Sequence, residues 1–148
     1  MPRIEASVTA NADVDRVFAL ARDIERYPEF MPDLKSVRIL EREGDRLVSE
    51  WTGLISDFKV QVKWTEEDVW DTAARTCRFR QLKGDFQQYE GIWTFAPAAE
   101  GTEMRLELDY RYEVPLIGPL LKALVARLMK ANVEAMLNAL KARAEAKA

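Results

Sequence analysis

The chain has 148 residues, with 22 Lys and Arg against 25 Asp and Glu, and a formal net charge of −3. It has no histidine and one cysteine, Cys77, which excludes an intrachain disulfide, a histidine general base and a histidine or multi-cysteine metal site. At 48% hydrophobic and 32% charged, it reads as one soluble folded domain over 1–148, in a reducing, cytoplasmic setting, with no cofactor or metal.

Residues 1–5 carry no apolar signal core. The most apolar tract, 114–129, is interrupted by Lys122 and Arg127 and falls short of the roughly 18 to 20 apolar residues of a membrane span, so no transmembrane segment is expected. The six glycines form no phosphate-binding loop. From residue 115 onward six bases face only Glu134 and Glu145, a net of +4 on an acidic body. A solvated helix face is the plain reading, although peripheral contact with anionic lipid or RNA fits too. The acidic balance elsewhere argues against DNA binding.

In chain order, Ile4, Ala6, Val8 and Ala10 alternate with polar residues and predict a half-buried strand. Asn11 is the expected cap of a helix carrying Val14, Val17, Phe18, Ala21 and Ile24, and Pro28 and Pro32 predict a kinked connection. Six strands follow. They are marked by Val37 and Ile39; Leu47, Ser49 and Trp51; Phe58, Val60, Val62 and Trp64; Cys77, Phe79 and Gln81; Tyr89, Gly91, Trp93 and Phe95; and Met104, Leu106, Leu108, Tyr110 and Tyr112. Short turns and one-sided alternation predict antiparallel pairing. Gly118 and Pro119 open a long helix running to residue 146. One of its stripes carries Ile117, Leu120, Leu121, Leu124, Val125 and Leu128; a second, rotated stripe carries Met129, Val133, Met136, Leu137 and Leu140. Either the helix bends, or its first half keeps apolar surface for a gate, a membrane or a dimer partner. Monomer and homodimer both remain open.

A curved sheet with one buried face needs a cover, and the long helix is the element large enough. Space between them is the natural ligand site. Trp51, Trp64, Phe79, Trp93 and Tyr110 are the expected pocket wall, with Leu124, Leu128 and Asn132 on the helix side. Tyr27, Phe30, Leu34, Ile117, Leu120 and Leu121 are expected at the entrance. Glu66, Glu67, Asp68 and Asp71 lie near Trp64 and Trp70. A carboxyl against an indole can act as acid or base, but such a run reads first as a solvated turn. Cys77 has no histidine to activate it.

The runs 21–32 (ARDIERYPEFMP), 84–86 (GDF), 89–95 (YEGIWTF) and 101–104 (GTEM), with 132–145, resemble the START-like superfamily in its polyketide cyclase/dehydrase and coenzyme Q-binding branch. The resemblance implies an α+β helix-grip fold, as in the Bet v 1-like allergens. That fold has a curved seven-stranded antiparallel sheet, two short helices after strand 1 and a long C-terminal helix across the sheet. It also implies binding or transport of a lipid, quinone or polyketide-like molecule, or else cyclase/dehydratase chemistry. Aromatase/cyclases of this group place a tyrosine and an arginine in the pocket. Here Leu34 stands at the tyrosine position and the arginine position falls near Asp68, which leaves no catalytic residue beyond the weak candidates Tyr27 and Tyr110. An interaction module using the basic helix on RNA or protein is the third reading.

Overall fold

The computed structural model describes residues 3–55, 60–112 and 119–146. Strand β1 (Arg3–Ala10) leads into helix α1 (Val14–Arg22) and a 3-10 helix (Ile24–Glu29). Six strands follow: β2 (Leu34–Glu43), β3 (Arg46–Ile55), β4 (Val60–Asp71), β5 (Thr76–Gly84), β6 (Gln88–Ala98) and β7 (Gly101–Arg111). Helix α2 (Pro119–Glu145) comes last. The strands form one seven-stranded sheet in the order β1-β7-β6-β5-β4-β3-β2, with antiparallel neighbours throughout. This is the expected α+β helix-grip architecture.

Two local expectations are corrected. Asp13, not Asn11, caps α1: its carboxylate accepts from the Asp15 backbone N–H at 3.2 Å. Asn11 donates its own backbone N–H to Glu145 at 2.7 Å. The proline-bearing connection begins inside the second of the two expected short helices, so regular structure reaches past Pro28 to Glu29. It forms the 3-10 helix around Pro28, because a short i→i+3 run needs few of the donors that proline lacks. Phe58 and Gly118 lie outside the described residues.

One face of each strand is apolar and turns inward. Leu47, Trp51, Val62, Phe79, Phe95, Met104, Leu106 and Leu108 form the floor of the core. On α2, Met129, Val133, Leu137, Leu140 and Ala144 are buried, a single stripe at steps of three and four. This is the second of the two sequence stripes; Leu124, Val125 and Leu128 of the first are only half-buried. The C-terminal end of α2 is fastened to the β1–α1 corner. Arg16 donates to the carbonyls of Ala144 and Ala146, both at 2.9 Å, which satisfies carbonyls that a helix end leaves without partners.

The sheet is least tightly closed beside β5. Its pairing with β6 runs from Thr76↔Thr94 to Arg80↔Glu90. Beyond that, the Gln81 side chain holds the Phe86 backbone, donating to its carbonyl at 2.8 Å and accepting from its N–H at 3.3 Å. Phe86 is thereby folded inward over the sheet, where it meets Trp64 and Tyr89.

Candidate functional site: a two-part cavity under the long helix

Strand β4 builds the site. Its period of two sends Val62, Trp64, Glu66, Asp68 and Trp70 inward, while Lys63, Glu67 and Val69 point out. Glu67 bridges Arg46 at 2.6 Å and Arg80 at 3.0 Å on the outer face, and those bonds hold its carboxyl below the usual range. The expected solvated acidic turn is therefore overturned. The strand continues to Asp71, and its register sets Ser49 opposite Glu66 and Leu47 opposite Asp68. Glu66 is 5% exposed and Asp68 2%.

An outer pocket of about 80 Å³ opens between the 31–34 segment, Gly53 and Leu54 of β3, and α2. Trp64, Phe86, Tyr89, Met129, Asn132, Val133 and Met136 complete its walls. The lining is mostly apolar, and three methionines give it side chains that repack readily. Deeper lies an inner chamber of about 40 Å³ that shares Tyr89, Val133 and Met136 as a common wall. Trp51, Phe79, Trp93 and Tyr27 surround it, and Glu66, Asp68, Trp70 and Cys77 form its polar side. Pockets for drug-sized ligands hold roughly 300–1,000 Å³, so a long molecule would enter only as the methionines and the mouth yield.

The inner chamber is acidic, and the described residues of its lining include no basic side chain. Trp64 Nε1 donates to Glu66 Oε1 at 2.7 Å. Glu66 and Asp68 also hydrogen-bond to each other. Burial holds the Glu66 carboxyl well above the usual range; the neighbouring Asp68 charge and the bond to Asp68 push the same way. Burial raises Asp68 too, opposed by the bond from Glu66. Burial thus favours the protonated form at both carboxyls, and the bond between them is made through a proton that the pair shares. Asp68 Oδ1 and Trp70 Nε1 are buried without a hydrogen-bond partner among the described residues. Burial also lifts the Tyr27 phenol and the Cys77 thiol well above their ordinary values, so neither is a ready nucleophile.

The expected wall residues are divided between the two spaces. Trp51, Phe79 and Trp93 line the chamber; Trp64 and Asn132 line the outer pocket. Tyr110 is buried in the core but lines neither, and Leu124 and Leu128 are half-buried without reaching either space. Among the entrance residues, Leu34 lies at the mouth. Tyr27 is inside, its hydroxyl donating to the Ala21 carbonyl. Phe30 instead packs under the Arg143 guanidinium, 5.2 Å from the ring centroid. Ile117 lies outside the described residues, as do the side chains of Leu120 and Leu121. Glu66, Asp68 and Trp70 were absent from the expected wall. The signal that finds them is the even spacing of Val62, Trp64 and Trp70, which puts Glu66 and Asp68 on the same face once the strand is known to run through the acidic stretch.

A family model described as "Polyketide cyclase / dehydrase and lipid transport" matches residues 10–137, and the chain belongs to that family. The TTHA0849 protein of Thermus thermophilus is 37% identical, with a TM-score of 0.91 over 97% of each chain. The Zhui aromatase/cyclase of Streptomyces sp. R1128 has a TM-score of 0.88 at 24% identity, over 97% of this chain and 93% of its own, a likeness of fold. Among curated proteins, the Ribosome association toxin RatA of Pseudomonas aeruginosa is 27% identical over 87% of this chain and 85% of its own length. No helix among the described residues is long and apolar enough to cross a membrane.

Proposed function

We propose that this protein binds an apolar small molecule of the lipid, quinone or polyketide class between its sheet and α2, seating the chain in the outer pocket and the polar end toward the inner chamber. The observation that carries this reading is the apolar pocket between the sheet and α2, which shares the walls Tyr89, Val133 and Met136 with a smaller space lined on one side by Glu66 and Asp68. Burial of apolar ligand surface would supply the affinity, at roughly 25 cal/mol per Å². The family's description, which names both cyclases and lipid transport, is consistent with it.

Organic extraction of the purified protein, followed by mass spectrometry against a mock purification, tests the proposal. A stoichiometric isoprenoid, quinone or fatty acyl compound supports it. An empty protein that also fails to change its tryptophan fluorescence on titration with such compounds overturns it.

The Glu66–Asp68 pair favours a second reading, a cyclase or dehydratase in which one carboxyl donates a proton while the other accepts one. Turnover of a polyketone substrate that disappears in Glu66→Gln and Asp68→Asn would establish it. Tyr110 plays no part in this version, since it reaches neither pocket.

A further inference from the structure

Three polar groups converge on the inner chamber from a single strand. Glu66 is committed: it accepts from Trp64 and bonds Asp68. Asp68 Oδ1 is buried, and among the described residues no N–H or hydroxyl donates to it, so beyond the proton of the acid pair it has room to accept. Trp70, 3% exposed, has its indole N–H buried with no acceptor among the described residues, although its ring is well packed against Phe18 and Phe95. A buried polar atom left unpaired carries a substantial desolvation penalty, and native proteins leave few of them. Here an orphan acceptor and an orphan donor sit two residues apart on one face of β4, both lining the same small chamber. Their needs are complementary and are met by one group that gives a hydrogen bond and takes another.

We propose that the inner chamber is a recognition site for an uncharged hydroxyl head group, whose O–H donates to Asp68 Oδ1 while its oxygen accepts from Trp70 Nε1. The inference rests on the ligand-binding reading above and specifies the polar end of the molecule. The same geometry disfavours an anionic head. A carboxylate placed there would offer no proton to Asp68, would stand against two buried acids, and would find no basic side chain among the described residues of the lining. The chamber thereby separates alcohols, phenols and enols from free fatty acids of equal length, although the outer pocket treats their apolar chains alike.

The test is a fluorescence or calorimetric titration at pH 8 with four probes of one alkyl chain length: 1-decanol, decyl methyl ether, decanoate and decylamine. Decanol is expected to bind tighter than the ether, which lacks the donor, and at least about tenfold tighter than decanoate. Trp70→Phe removes the donor and keeps a ring; it should weaken decanol roughly threefold to tenfold, the range of one neutral hydrogen bond. Asp68→Asn removes the charge at nearly constant volume and should bring decanoate to within about threefold of decanol. The comparison within the wild-type protein needs no variant, so a misfolded substitution leaves the test intact. Equal binding of decanol and decanoate by the wild type overturns the inference while the apolar-ligand reading stands. So does tighter binding of decylamine than of decanol, which would mark the pair as a site for a cation. Failure of all the probes to bind overturns the inference and that reading together.

Discussion

Trp64 donates its indole N–H to the carboxyl of Glu66, two residues further along the same strand, at 2.7 Å. The bond ties a wall residue of the outer pocket to one of the inner chamber. The Trp64 ring stacks on Trp51 at 5.8 Å between centroids and walls the outer pocket, while Glu66 belongs to the inner chamber. One Glu66 oxygen is committed to the indole, and the carboxyl shares a proton with Asp68. The bond therefore holds Glu66 in place beside Asp68.

Removing that donor has a predictable consequence. Trp64→Phe keeps an aromatic ring but leaves a buried Glu66 oxygen unpaired, which costs about 1–3 kcal/mol. Chemical denaturation should show a lower midpoint with an unchanged slope. A loss under about 0.5 kcal/mol, the usual scale of neutral surface changes, would mean that Glu66 is solvated and the chamber wetter than its geometry indicates.

Glu66 also ties stability to pH. Its folded carboxyl holds the proton well above the ordinary value of 4.5. At acid pH both folded and unfolded states carry the proton, and the site adds no penalty. As pH rises past about 4.5 the unfolded chain releases its proton while the folded protein retains it, so stability falls across that window. Glutamine has no such proton, accepts from Trp64 and donates to Asp68 as the protonated acid does. Glu66→Gln should therefore melt several degrees higher than wild type at pH 8 and no higher at pH 4, with about 2–4 °C expected per kcal/mol at this size. Equal melting temperatures at pH 8 would refute the buried-acid assignment.

The helix-grip order was legible because the strands after residue 34 alternate cleanly and the last segment is rich in helix formers. The deeper half of the site was not. Glu66, Glu67 and Asp68 form an acidic run, and in isolation such a run is usually a turn. What overrides local composition is the pairing of β4 on both sides, with β3 and with β5, which holds the strand extended to Asp71 whatever its side chains prefer. Alternation then puts Glu66 and Asp68 inside with Trp64 and Trp70. The cap of α1 was hidden for a related reason. Asn11 and Asp13 are both good caps, and Glu145, more than a hundred residues away, occupies the Asn11 backbone.

Gly91 has a packing role that its sequence does not advertise. It lies opposite Phe79 on the inner face of the sheet, and a Cβ there would stand 2.1 Å from the Glu107 carbonyl oxygen and 2.7 Å from the Phe79 ring. The backbone cannot yield without disturbing β6–β7 pairing, and Phe79 cannot yield without entering the inner chamber. Gly91→Ala should cost about 1–3 kcal/mol by overpacking. Gly53→Ala makes the contrast. A Cβ there meets the Trp64 ring at an ordinary 3.5 Å, so that variant should fold normally. Similar melting temperatures for the two variants would contradict this assignment.

The mouth offers the cleanest way to separate binding from folding. Ala135 is exposed on α2 and borders the outer pocket, while Val133 and Leu137 on either side of it are buried in the core. A tryptophan at 135 enlarges a solvent-facing position and covers the opening without touching the buried stripe. The 31–34 segment forms the opposite rim, and Leu34 there is anchored by its backbone N–H donating to the Met31 carbonyl at 3.1 Å, so that rim resists the new ring. Ala135→Trp should therefore leave the melting temperature within about 2 °C of wild type, as expected for a surface change. It should lower the affinity for an apolar probe such as decanol at least about tenfold, as the entrance closes or the ring fills it. Unchanged affinity would place the route to the inner chamber elsewhere on the molecule.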